Sequence, residues 1–192
     1  MDGDGVLLDY NCAYPLAWAR AFGESLSLVD EHAYSPIDRW GVPRLTGEKL
    51  DRFKSILDDQ FWATIPVIPG ALDACERLVN AGFELVCVTA LAPKFQDARR
   101  RNLLGLGFPI QKVIATGSVP VGNISPKAQT IEALQAVAFV DDYLPYHQGI
   151  HSSAHLALIT RETNGSPNTG IGLEAVDSSH TNLATFASFW LD

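Results

Sequence analysis

Short apolar runs that each end in a reactive side chain dominate what this chain can fold into. Leu85, Val86, Cys87 and Val88 are closed by Thr89, and Ala138, Phe139 and Val140 by Asp141 and Asp142. Together with residues 113–115 and 156–159 these are strand-length segments, and stretches with apolar residues three and four apart lie between them. Continuous apolar runs suit strands covered on both faces. Strands alternating with helices predict an α/β fold with a doubly wound parallel sheet, whose ligands bind at the carboxyl ends of the strands. Thr89, Asp141 and Asp142 stand at such ends. At 192 residues the chain suffices for one sizeable core with a small inserted subdomain.

The first nine residues supply a second carboxylate pair. Asp2 and Asp4 are interleaved with Gly3 and Gly5 and followed by Val6, Leu7 and Leu8. In extended backbone Asp2 and Asp4 point to the same side. Carboxylates this close repel at neutral pH unless a cation or a proton intervenes, and oxygen donors suit a hard cation such as Mg²⁺. Lys127, after Ser125 and Pro126, completes a set of hydroxyl, ammonium and paired carboxylates of the kind a phosphoryl-transfer site needs.

In these segments (DGDGVL, ELVCVT, SPK and AFVDD) the sequence resembles the haloacid dehalogenase-like hydrolase superfamily, whose four motifs follow the same order from Asp2 to Asp142. The resemblance implies a Rossmann-like core with a small α-helical cap inserted after the first strand. It also implies that Asp2 is the nucleophile of an aspartyl-phosphate mechanism and Asp4 the acid and base. Thr89, Ala90 and Lys127 would bind the phosphoryl group. Mg²⁺ would be held by Asp2, the Asp4 backbone carbonyl, Asp141 and Asp142. Dehalogenases of the superfamily usually lack an acid at the place of Asp4, so the expectation is a phosphatase, or less often a phosphomutase. In the family the nucleophile follows a central apolar strand. Only Met1 precedes Asp2 here, so natural sequence upstream of Met1 is expected.

The expected cap covers residues 14–65, with residues 1–13 and 66–192 forming the core. Tyr14, Ala17, Trp18, Ala21, Phe22 and Ser25 line one mostly apolar helical face, and Leu50, Phe53, Leu57 and Phe61 another that begins near Gly47 behind Thr46. Large apolar residues are mostly buried, so any one aromatic here is first a core candidate. Trp18, Trp40 and Trp62 are nonetheless the candidates for stacking on a substrate ring. Residues 61–71 (FWATIPVIPGA) and the opening DGDGVLLDY are similar to the 5'(3')-deoxyribonucleotidases, although Thr89-Ala90-Leu91 departs from the Thr-Ser-Pro common there. The lead substrate is therefore a nucleoside monophosphate. A sugar phosphate or phosphoglycolate-like acid is the enzymatic alternative, and a non-catalytic phosphometabolite-binding module the other.

The rest of the sequence narrows the partners. A net charge of −8 argues against a nucleic-acid surface. No apolar run reaches the ~20 residues of a membrane span. Cys12, Cys75 and Cys87 cannot all pair, and reduced thiols fit a cytoplasmic protein, monomeric or homodimeric, acting on a small phosphorylated metabolite. Arg99, Arg100 and Arg101 read as a solvated helix face. His147, His151 and His155 are four apart, but Gly149, Ser152 and Ser153 weaken a shared helix, so no zinc site is expected. Residues 156–159 read as the last parallel strand and 163–172 as a loop.

Overall fold

The structure is a computed structural model that describes residues 1–117, 124–151 and 153–192. Its strands are β1 (Val86–Thr89), β2 (Lys112–Ala115), β3 (Ala138–Asp141), β4 (His155–Ile159) and β5 (Ser178–His180). β1 pairs in parallel with β2, and β3, β4 and β5 form a second parallel set in that order. Met1 and Asp2 lie between the two sets. The Met1 amino group donates to the Val86 carbonyl at 3.0 Å, the Val88 N–H to the Met1 carbonyl at 2.9 Å, and the Asp2 N–H to the Val140 carbonyl at 2.8 Å. The central position of the sheet is thus held by these two residues.

Side-chain alternation splits the core between the two faces of the sheet. Cys87, Val113, Val140 and Ala157 pack on one side with α5 (Ala71–Asn80) and α8 (Leu183–Leu191). Val88, Phe139 and Leu156 pack on the other against Ala128 and Ile131 of α7 (Ala128–Ala133). This two-sided burial explains why the strands read as unbroken apolar runs. β5 corrects the sequence reading of 156–159 as the last strand. Its Ser-Ser-His composition carries no apolar signal, and its half-exposed place at the sheet edge needs none. A 3-10 turn, Gly170–Ala175, also interrupts the expected loop.

The region expected to form the cap holds α1 (Tyr10–Phe22), α2 (Pro36–Arg39), α3 (Gly47–Ile56) and α4 (Asp59–Trp62). α1 begins four residues before the expected boundary at Tyr14, because the Asp9 carboxylate caps it by accepting from the Cys12 N–H at 2.9 Å. Tyr14, Trp18 and Phe53 are buried together, with ring centroids 5.0–6.1 Å apart. The chain leaves and re-enters the core side by side: the Asp9 N–H donates to the Pro66 carbonyl at 2.8 Å, and the Ile68 N–H to the Leu7 carbonyl at 3.0 Å. No helix among the described residues is long and apolar enough to cross a membrane.

Candidate active site

The ends of β1 and β3 and the Met1–Asp2 segment between them deliver Asp2, Thr89 and Asp141 to the same place, all of them buried. Lys127, at the N-cap position of α7, has no exposed surface, and its ammonium lies 2.8 Å from Asp2 Oδ1 and 2.5 Å from Asp141 Oδ2. Its charge also stands 4.5 Å from the centre of the Tyr146 ring. Burial disfavours the Lys127 charge, but Asp141 and Asp2 more than offset it and raise the pKa. For Asp141 burial wins: its pKa is pushed up to about 7 although Lys127 opposes the shift. Asp142 is driven up by burial and by the neighbouring Asp141.

The turn after Asp2 explains the glycines. The Leu7 and Leu8 N–H groups both donate to the Gly3 carbonyl at 2.9 Å, and Gly5 has φ +81°. A Cβ on Gly5 would stand 2.2 Å from the Asp142 carboxyl group, so only glycine fits against that acid. The loop beyond β3 is pinned as well. Asn168 donates to the Asp142 carbonyl at 2.7 Å and accepts from the Leu144 N–H at 2.8 Å, while Tyr143 N–H donates to Asp141 Oδ1 at 3.0 Å.

Arg99 overturns the reading of residues 99–101 as a solvated face. Arg101 reaches across to Asp59 at the surface, but Arg99 is completely buried, and its Nη2 donates to both oxygens of Asp4 at 2.7 Å. Within α6 (Gln96–Gly105), Arg99, Asn102 and Leu103 form one buried stripe at helical spacing, the signal that sets Arg99 apart from its neighbours in sequence. Burial raises the Asp4 pKa, with Arg99 pulling against it.

These groups open into a cavity of about 620 Å³ between core and cap, lined by Asp2, Asp4, Thr89, Ala90, Asp142 and Trp62 among others. Trp62 stacks on Tyr10 at 5.9 Å and 15°, and its indole N–H donates to the Leu57 carbonyl at 3.0 Å. Trp18 and Trp40 are placed elsewhere. Trp18 belongs to the buried cap cluster and donates to Glu24, whereas Trp40 donates to the Asn11 carbonyl at 2.9 Å. Sequence reading also missed Arg161, which lines the cavity while paired with Asp9 at 2.8 Å and with Glu162 at 2.8 Å. The histidines stay apart from this site: buried His147 meets the Ala157 carbonyl, and His155 lies in β4 against Ser178. Ser152 lies outside the described residues.

Oxygen atoms of Asp2, Asp141 and Asp142 fall within 4.8 Å of one another. Counting Asp4, four carboxylates face two buried cations, Lys127 and Arg99. Hard oxygen donors in net negative surplus fit a divalent cation of the Mg²⁺ type.

No protein-family model matches the sequence, and no curated protein matches it. Solved structures do match in fold. A defluorinating L-2-haloacid dehalogenase gives a TM-score of 0.63 at 14% identity, covering 100% of this chain and 93% of that one. The fold is that of the haloacid dehalogenase-like hydrolases. A haloacid dehalogenase-like hydrolase from Streptococcus pneumoniae gives 0.63 at 16% identity over 98% of this chain and 95% of its own. A HAD family hydrolase from Deinococcus radiodurans R1, with bound phosphate and sodium, gives 0.60 at 15% identity over 96% and 90%. Identities this low establish the haloacid dehalogenase-like fold and leave the reaction to the chemistry of the site.

Proposed function

We propose that the chain is a metal-dependent phosphomonoester hydrolase that works through a phosphorylated Asp2. The observation that carries this reading is the second carboxylate, Asp4, facing the same cavity as Asp2. A halide leaves carbon as a stable anion, whereas an alkoxide leaving phosphorus needs a proton, so an acid beside the nucleophile favours esters over haloacids. An Asp2 oxygen attacks phosphorus as the ester P–O bond breaks, and Asp4 gives its proton to the departing oxygen. Asp4 then takes a proton from water as the water oxygen attacks phosphorus and frees Asp2. Lys127 and Thr89 hold phosphoryl oxygens, where positioning and charge neutralisation dominate. A divalent cation held by Asp2, Asp141, Asp142 and the Asp4 carbonyl would neutralise charge on the transferring group. The phosphate carried by the Deinococcus radiodurans structure supports a phosphoryl site in this fold.

Cavity size and the aromatic wall of Tyr10, Trp62 and Phe95 support a nucleoside monophosphate as lead substrate. Lys54 and Lys94 at the same cavity favour, as the second reading, an ester that carries another acid, such as a phosphoglycolate-like compound. A turnover screen with Mg²⁺ over mononucleotides, sugar phosphates and phosphoglycolate, with a 2-haloacid as control, tests both. Phosphate release is expected, and halide release without it would overturn the proposal. Binding of phosphate without turnover would identify a non-catalytic module instead.

Excess chelator abolishes turnover and Mg²⁺ restores it better than Ca²⁺, because the larger ion takes more ligands at longer distance and misplaces the attacking oxygen. Undiminished rates in chelator would remove the metal from the mechanism. Trp62→Ala weakens kcat/KM for a mononucleotide by about 5- to 150-fold, the ~1–3 kcal/mol of base–aromatic stacking. Ribose 5-phosphate, with the same leaving oxygen and no base, serves as control and is expected to change little. Trp18→Ala should lower both rates in parallel with thermal stability, since that ring fills the cap core. Parallel losses in Trp62→Ala would return Trp62 to a packing role.

A further inference from the structure

Asp4 must both give and take a proton, so what fixes its carboxyl group matters as much as its presence. Its side chain keeps 29% of its surface exposed, toward the cavity, while the other side rests on Arg99, which has none. One nitrogen, Nη2, reaches both carboxylate oxygens at 2.7 Å and so fixes the direction in which the carboxyl group points. The rest of the guanidinium makes weaker contacts. Its carbon lies 5.4 Å from the centre of the Trp62 ring, and Nε and Nη1 find no hydrogen-bond partner among the described residues. A buried charge with two unpaired donors is costly as a packing element. Among the described residues its hydrogen bonds go to the group proposed to move the proton.

α6, which carries Arg99, is tied at the same turn to the segment joining cap and core. Asn102 donates to the Ile65 carbonyl at 3.0 Å in a buried bond, and Arg101 pairs with Asp59 at the start of α4. Within one turn this helix thus meets the site acid, the start of α4 and the returning chain.

We infer that Arg99 is the positioning residue for Asp4, holding its carboxyl group toward the leaving oxygen of a phosphate ester. The inference rests on the phosphatase reading and deepens it. Arg99 transfers no proton: the ester oxygen receives the Asp4 proton as the P–O bond breaks and the Asp2–P bond forms. Its contribution is felt only where that proton is needed. Ribose 5-phosphate expels an alkoxide and needs it; acetyl phosphate expels acetate and does not.

The experiment is rapid-quench measurement of phosphoryl groups on Asp2, with Mg²⁺, from each donor in the wild type, Arg99→Met and Arg99→Lys. Arg99→Met is expected to slow phosphorylation from ribose 5-phosphate about 100-fold and from acetyl phosphate less than about threefold, within the range of a lost general acid. Arg99→Lys keeps the charge and should recover part of the loss with the same donor dependence. If Arg99→Met does not fold, the lysine variant carries the test, with a smaller loss confined to ribose 5-phosphate. Equal losses from both donors would overturn the role of Arg99 and leave the phosphatase reading intact. A wild type phosphorylated by neither donor would overturn that reading and the inference with it.

Discussion

Asp2→Asn abolishes phosphate release, lowering kcat by about 10⁴-fold or more, the scale on which loss of a covalent nucleophile is felt. Asp2 is buried at the end of the two-residue segment that holds the middle of the sheet, with the Lys127 ammonium 2.8 Å away. The amide keeps the size of the side chain and removes the attacking charge. Stability is expected to hold or rise in metal-free buffer, because one of several crowded acids loses its charge while Lys127 keeps Asp141. Trapping of beryllofluoride, which mimics an aspartyl-phosphate, is lost in the same variant. Steady-state rates and thermal melts on one preparation check the combination. Wild-type rates in Asp2→Asn would remove Asp2 from the reaction.

Lys127→Met costs both activity and fold. Lys127 is wholly buried between Asp2 and Asp141, so its removal strands two carboxylates in the interior. Breaking one side of a buried ion pair costs about 3–5 kcal/mol. Loss of a preorganised charge on the transferring group lowers kcat by about 10²- to 10³-fold. Adding Asp2→Asn to Lys127→Met should recover part of the stability, since one stranded charge is then gone. Chemical denaturation of the single and double variants checks this coupling. A double variant whose stability equals the sum of the two single effects would mean that Lys127 and Asp2 do not interact as the 2.8 Å contact requires.

How much of this was legible in the sequence differs by element. The strands β1 and β3 carry continuous apolar runs because both faces of the sheet are covered, so their ends, and with them Thr89 and Asp141, could be placed. β5 could not, because an edge strand of Ser178, Ser179 and His180 buries little and leaves no pattern. Arg99 was hidden for the opposite reason. Three arginines in a row look like a solvated face, and only helical spacing with Asn102 and Leu103 separates the buried one from Arg100 and Arg101. Aromatic residues in the cap could be counted from sequence but not assigned. Trp18 and Trp62 are both large rings on helices of this region, and only the structure shows Tyr14 and Phe53 packed around the former and the latter lining the cavity.

Covalent phosphorylation of Asp2 tests the central claim most directly. The purified chain is incubated with Mg²⁺ and a mononucleotide, quenched in acid, and the peptide containing Asp2 is weighed by mass spectrometry. The account predicts the added mass of one phosphoryl group on Asp2, appearing before free phosphate and absent in Asp2→Asn. Phosphate release with no modified Asp2 at any quench time, persisting in Asp2→Asn, would contradict it.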